Sequence, residues 1–162
     1  MDINIRKGNI NDLDALSLIE AECFPPEEAA GKKALEGRLR AYAGCFLVME
    51  HEGRAIGFIN GMVSQSPVLE DEMYENPSLH DPDGPWQMVF GLDIMPAYRK
   101  MGLGGQLLSE FCRMAKGEGR RGVVLTCKKE LLGFYGSLGF ENMGVSPSVH
   151  GGAVWYEMRL EF

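Results

Sequence analysis

Apolar positions along the chain switch between two periods, and the switches mark out its elements. Ile3 and Ile5 alternate with polar neighbours over Asp2 to Lys7, as in a short strand. Leu13, Leu16, Ile19, Cys23 and Phe24 follow at helical spacing behind a candidate N-cap, Asn11. Pro25-Pro26 stops that helix. The pair suits the first turn of a second helix, which would carry Ala34, Leu35, Leu39 and Tyr42. Cys45 to Glu50 and Ala55 to Val63 read as strands joined by a hairpin turn at His51-Glu52-Gly53-Arg54. Ser64 to Pro85 is a long polar loop, and Trp86 to Ile94 is the next strand. Leu103, Leu107, Leu108, Phe111, Met114 and Ala115 trace one face of a helix. Gly122 to Cys127 reads as a buried strand and Glu130 to Leu138 as a short helix. Phe140 to Val145 and Ala153 to Leu160 read as closing strands. The order β-α-α-β-β-β-α-β-α-β-β predicts a mixed α/β domain around a central sheet.

With 162 residues the chain is expected to form one domain, 1–162, and its 45% hydrophobic and 24% charged content is that of a globular protein. No apolar run approaches the roughly 20 residues of a membrane span. Met1-Asp2-Ile3-Asn4-Ile5-Arg6 lacks the basic-then-apolar order of a signal peptide. A cytoplasmic protein with no membrane partner is expected. The net charge of −7 has one source. Between Arg54 and Arg99 there is no basic residue, and seven acids stand there: Glu70, Asp71, Glu72, Glu75, Asp81, Asp83 and Asp93. Without them, acids and bases balance at 16 each. Such a segment repels phosphate backbones, which argues against a nucleic-acid partner. It either attracts a cation or serves as a solvated acidic loop. Cys23, Cys45, Cys112 and Cys127 form no CxxC pair, and His51, His80 and His150 are far apart, so no metal is expected.

Candidate chemistry concentrates in Leu92-Asp93-Ile94-Met95-Pro96-Ala97-Tyr98-Arg99-Lys100-Met101-Gly102-Leu103-Gly104-Gly105, where a strand runs through a basic, glycine-rich turn into a helix. Glycines let backbone N–H groups approach an anion, and the first helical turn adds unpaired donors and a favourable dipole. The run lacks the Lys-Ser or Lys-Thr of a P-loop. It also lacks the last glycine of a dinucleotide fingerprint. Arg99-Lys100-Met101-Gly102-Leu103-Gly104 does match Arg/Gln-x-x-Gly-x-Gly/Ala. That motif resembles the acetyl-CoA loop of the GNAT superfamily of N-acetyltransferases. Gly133-Phe134-Tyr135-Gly136-Ser137-Leu138-Gly139-Phe140 is similar to the family's later motif, and the element order fits over nearly the whole chain. Glu22 to Ala30 and Val145 to Met158 resemble the arylalkylamine N-acetyltransferase-like members.

The resemblance implies a GNAT-like mixed central β-sheet with splayed middle strands flanked by helices. It implies acetyl-CoA as co-substrate, its pantetheine arm along Leu92, Asp93 and Ile94, and its pyrophosphate on the loop Arg99, Lys100, Met101, Gly102, Leu103, Gly104 and Gly105. Tyr135 corresponds to the tyrosine that protonates the departing thiolate, a role open to a phenol held beside the sulfur. The arylalkylamine branch of animals places two histidines where this chain has Met88 and Phe90, so a base must lie elsewhere or the neutral amine must bind directly. Glu27 is the first candidate, because some relatives use a carboxylate after the first helix. Glu22 and Glu28 are close alternatives, with His80 and His150 behind them. Phe24, Pro25, Tyr74 and Phe90 are candidate substrate contacts. Tyr74, Trp86, Phe90 and Trp155 would either line an arylalkyl site or fill the core. The expected activity is acetyl transfer to a small cationic amine by direct attack. A protein or peptide acetyltransferase and a non-catalytic acetyl-CoA-binding module stand as alternatives. Pairing through the later strands makes a homodimer an expectation of the resemblance.

Overall fold

The computed structural model describes residues 1–162. In chain order the strands and helices are β1 (Ile3–Lys7), α1 (Leu13–Cys23), α2 (Lys32–Tyr42), β2 (Phe46–His51), β3 (Arg54–Asn60), β4 (Val63–Ser64), α3 (Glu72–Glu75), β5 (Trp86–Val89), β6 (Gly91–Ile94), α4 (Leu103–Gly117), β7 (Gly122–Cys127), α5 (Leu132–Ser137), β8 (Glu141–Val145) and β9 (Tyr156–Glu161). The predicted strand 86–94 is two strands. They lie in different sheets, ordered β1-β2-β3-β6 and β4-β5-β7-β9-β8. The expected central sheet is thus a forked pair. β5 runs parallel to β7 over Trp86–Val89, whereas β6 pairs only with β3. Beyond Phe90 the strands diverge, and the edge of β6 facing β7 has no strand partner.

A buried glutamine and a glycine hold the fork. Gln87 is fully buried, and its amide donates to the carbonyls of Gly61 and Met88, both at 2.8 Å. A Cβ on Gly61 would lie 1.9 Å from the Met88 carbonyl oxygen, so only glycine fits where the two sheets meet. Met88 N donates to Met62 O and Phe90 N to Asn60 O, carrying the chain from one sheet to the other. The predicted strand Ala55 to Val63 is divided at the same crossing, into β3 and β4.

Alternation along the strands feeds two cores. Leu47 and Met49 point to one cluster with Leu107, Leu108 and Phe111 of α4. Phe46 and Val48 point to the other, with Leu16, Ile19, Leu35 and Leu39 of α1 and α2. The first helix starts differently from the expected Asn11 cap. Asn9 caps a short 3₁₀ turn in a reciprocal box with Asp12, and α1 follows from Leu13. The hairpin turn is as expected: Glu52 and Gly53 both have positive φ, as a two-residue turn between twisted strands requires. Pro25-Pro26 does end α1, but it opens no second helix. Residues 26–28 form a turn, and α2 begins at Lys32. No helix is long and apolar enough to cross a membrane.

Candidate active site

Below the fork, β6 and the end of β7 spread apart and leave a cavity of about 760 Å³. The end of α1, α2, the segment around α3, α5 and the 150–155 turn wall it. Four expected substrate contacts, Phe24, Pro25, Tyr74 and Phe90, all line it. So do Leu92 on the free edge of β6 and Tyr135 on α5. Sequence positions far apart therefore meet where the resemblance places thioester and acceptor.

The glycine loop leads away from that edge. Gly102 is left-handed, with φ of 77°, and precedes α4 without a side-chain cap. The first helical backbone bond here is Gln106 N to Gly102 O, so the N–H groups of Leu103, Gly104 and Gly105 precede the ladder. Lys100 also has positive φ, 64°, an uncommon conformation for a residue with a Cβ. A Cβ at Gly104 would meet only the side chains of Phe134, Ile94 and Leu92, at 3.8, 3.9 and 4.0 Å. These features fit a pyrophosphate. Arg99 is exposed, and its Nε donates to the Ile94 carbonyl at 2.9 Å, tying the loop to the end of β6.

Tyr135 is 7% exposed. Its ring packs edge-on against Phe134 and Phe140, and it lines the cavity together with Cys127. Burial pushes the phenol's pKa up, so it holds its proton through the neutral range. The Cys127 thiol is likewise raised, to about 11, and its Sγ sits 3.6 Å from the Met158 sulfur. That thiol is not a ready nucleophile.

The acceptor side is aromatic and acidic. Tyr74 is stacked on His150 at 4.8 Å and packs on Phe90 at 4.9 Å, and its hydroxyl lies 3.3 Å from Thr126 Oγ1. Burial raises its pKa too. His150 Nε2 lies 2.9 Å from the Glu28 carbonyl, which only accepts, so Nε2 carries a proton. Glu28 itself pairs with Lys128 at 2.6 Å. Arg38 is buried, donates to Asn60 Oδ1 and the Tyr74 carbonyl, and lies 4.9 Å from the Phe90 ring centre.

Glu27, the first candidate base, is exposed and stands outside the cavity wall. Glu22 is exposed as well, and His80 is spent on the Val63 amide, accepting at Nδ1. The physical reason is the absent helix at Pro25. Without it, Glu27 faces outward and its neighbour Glu28 faces the cavity. The wall also holds residues that periodicity did not single out: Glu20, Arg38, Thr126 and Lys128. Asp93 stands apart from its backbone role. Its side chain turns from the strand edge toward Glu20 on α1, and it is fully buried. No cluster of three or more His, Cys, Asp or Glu residues is placed to hold a metal.

Comparison with known proteins agrees with this geometry. N-acetyltransferase YkwB of Bacillus subtilis (strain 168), itself uncharacterized, is 27% identical over 118 residues, 66% of this chain. The match spans 52% of YkwB, about half its length. Among solved structures, the GphF GNAT-like decarboxylase bound to isobutyryl-CoA superposes with a TM-score of 0.85 at 24% identity, covering 98% of each chain. PaiA N-acetyltransferase of Thermoplasma acidophilum, bound to coenzyme A, gives 0.75 at 20% identity over the full length of both. The sequence profile of the acetyltransferase (GNAT) family matches residues 13–140, which contain the glycine loop, the free edge of β6 and Tyr135. That match covers most of the chain, which belongs to the GNAT acetyltransferase family.

Proposed function

We propose that the protein transfers the acetyl group of acetyl-CoA to the amine of a small cationic substrate. The observation that carries this reading is the single cavity shared by Tyr135, the unpaired edge of β6 and an acid-rich acceptor wall. That wall contains Glu20, Glu28, Asp71, Glu72 and Glu75 against Arg38 and Lys128, so it favours a cation. Phe24, Tyr74, Phe90 and Trp155 add aromatic faces that suit an arylalkylamine, consistent with the branch its sequence resembles.

Acetyl-CoA would supply the activated acyl group. Leu92, Asp93 and Ile94 would present backbone to its pantetheine arm, and the N–H groups from Met101 to Gly105 would hold its pyrophosphate. Tyr135 would give its proton to the sulfur as the thiolate leaves. Direct attack by the amine needs no acyl-enzyme. The buried, raised thiol of Cys127 supports that reading. The free edge of β8, with Met143 and Val145 exposed, is where a second copy would pair in a homodimer.

A second reading follows from the likeness to the GphF decarboxylase. Arg38 could hold the carboxylate of a 2-carboxyacyl-CoA, and Thr126 and His150 could serve the carbon that loses CO₂. One experiment separates the two. Thiol release from acetyl-CoA is measured against arylalkylamines, polyamines, amino acids and short peptides, beside CO₂ release from malonyl-CoA. Amine-dependent thiol release supports acetyl transfer. CO₂ release without an amine supports decarboxylation. Tight acetyl-CoA binding with neither product supports a binding module.

A further inference from the structure

An ammonium must lose a proton before its nitrogen can attack, and Tyr135 is a donor. Most acids of the wall are engaged or exposed. Glu28 is paired with Lys128, and Asp71 accepts from the Ser148 hydroxyl and the Val149 amide. Glu72 and Glu75 are exposed to solvent. Glu20 differs from all of them. It is 6% exposed, lines the cavity, and is fixed by the Ala30 amide, which donates to Oε2 at 2.8 Å.

Its other oxygen faces Asp93. A Cβ placed on Gly91 would lie 3.0 Å from Asp93 Oδ1 and 3.8 Å from Glu20 Oε1, so the two carboxyls flank one point beneath the free edge of β6. Asp93 has no accessible surface, and neither of its oxygens receives an N–H or hydroxyl from the protein. Two carboxyls that flank one buried point disfavour ionising together, and a proton kept on one of them relieves the repulsion. Burial and Glu20 together hold the Asp93 carboxyl well above the ordinary carboxylate range.

The neighbours leave this arrangement intact. From α1, the Cys23 thiol is turned to the Ile94 carbonyl at 3.4 Å. From α2, Arg38 is the cation that Asp93 feels, and it balances one negative charge. β3 places uncharged Phe58 opposite Asp93. Arg99 donates to the carbonyl of Ile94, next to Asp93, and Tyr135 on α5 feels the Asp93 charge.

We propose that Glu20 and Asp93 form a carboxyl pair that holds one proton at rest, on Asp93, in which the ionised Glu20 binds the substrate's ammonium and takes its proton, while Asp93 keeps its own proton and positions Glu20. This rests on the acetyltransferase reading above. The Glu20 carboxylate takes one proton as an N–H bond breaks, leaving the electron pair on nitrogen. That pair forms the N–C bond to the thioester carbonyl as the C–S bond breaks, and the sulfur's electron pair takes the Tyr135 proton. The second proton on nitrogen returns to the Tyr135 phenolate. Glu20 then passes the first proton to solvent, so one proton leaves per amide formed. The accepted substrate is a primary amine small enough to bring its ammonium to Glu20.

The test uses the whole protein and two near-isosteric variants, Glu20→Gln and Asp93→Asn, with folding checked by circular dichroism. Difference infrared spectra between about pH 6 and about pH 9 should show a protonated carboxyl in the wild type that Asp93→Asn abolishes. Glu20→Gln should lower kcat/KM for the amine about 100-fold at neutral pH and recover as pH nears the amine's own pKa, with acetyl-CoA affinity changed less than about 2-fold. Asp93→Asn should move the acidic inflection of kcat/KM, which a merely structural role would not do. A wild type without the carboxyl band, or a Glu20→Gln variant with the wild-type pH profile, overturns the pair alone. A wild type that releases no thiol with any amine overturns the acetyltransferase reading, and this role with it.

Discussion

A phenol in an apolar wall keeps its proton until negative charge develops beside it, and Tyr135 meets that condition. Tyr135→Phe keeps the ring and its edge-on contacts with Phe134 and Phe140. It should lower kcat about 100-fold while the acetyl-CoA dissociation constant, measured by calorimetry, stays constant. Asp93 is shifted in the same sense, its carboxyl kept protonated by burial and by Glu20. Unfolded, it releases its proton in the ordinary carboxylate range; folded, it retains the proton to higher pH. The unfolded chain then binds fewer protons, so this residue's contribution to stability falls as pH rises from its ordinary pKa toward the folded one. Asp93→Asn removes that dependence. Its Tm should exceed the wild type's by a margin that widens from about pH 5 to about pH 8. The reach of sequence reading also shows at single residues. Tyr135 was legible because its neighbours form a local motif. Glu20 and Asp93 are 73 positions apart, and each alone reads as a polar residue on an amphipathic helix or a strand edge. Only folding makes them a pair. Glu27 was the first candidate because some relatives use a carboxylate after the first helix, and in the turn that follows α1 here it is Glu28 that lines the cavity.

At the scale of elements, the two glycines that matter most fail in different ways when substituted. Gly61 lies where the sheets cross, and a Cβ there collides with the Met88 backbone, which cannot move aside as a side-chain tip could. Gly61→Ala should lower Tm and yield little folded protein. At Gly104 a Cβ meets only ordinary contacts, the nearest being Phe134 Cζ at 3.8 Å. Gly104→Ala should therefore melt within about 2 °C of the wild type yet bind acetyl-CoA more weakly, because the methyl group occupies the approach to the loop's amides. Paired melting curves and calorimetry check both outcomes. The helices and most strands were legible because their periods are local. The break at Phe90 was not, since 86–94 reads as one mostly apolar run and its two halves are told apart by which strand lies beside them.

At the scale of the molecule, the fork divides the apolar interior into two clusters, one under α4 and α5 and one under α1 and α2. The cavity opens where neither cluster closes the space between sheets. The segment 64–85, whose acidity stood out in the sequence, is anchored rather than loose. Asp71 holds the 148–149 turn, and Arg120 donates to the carbonyls of Pro82 and Gly84. Only part of that acidity reaches the site, through Asp71, Glu72 and Glu75, and Asp81 and Asp83 lie outside the cavity wall. The unpaired edge of β6 gives this architecture a thermodynamic handle. A co-substrate whose amides lie along that edge serves as a surrogate strand, so ligand occupancy and completion of the sheet become one equilibrium. Amide hydrogen exchange at Leu92 to Ile94 would then slow with rising acetyl-CoA concentration, and the resistance of the whole chain to heat would report how full the site is.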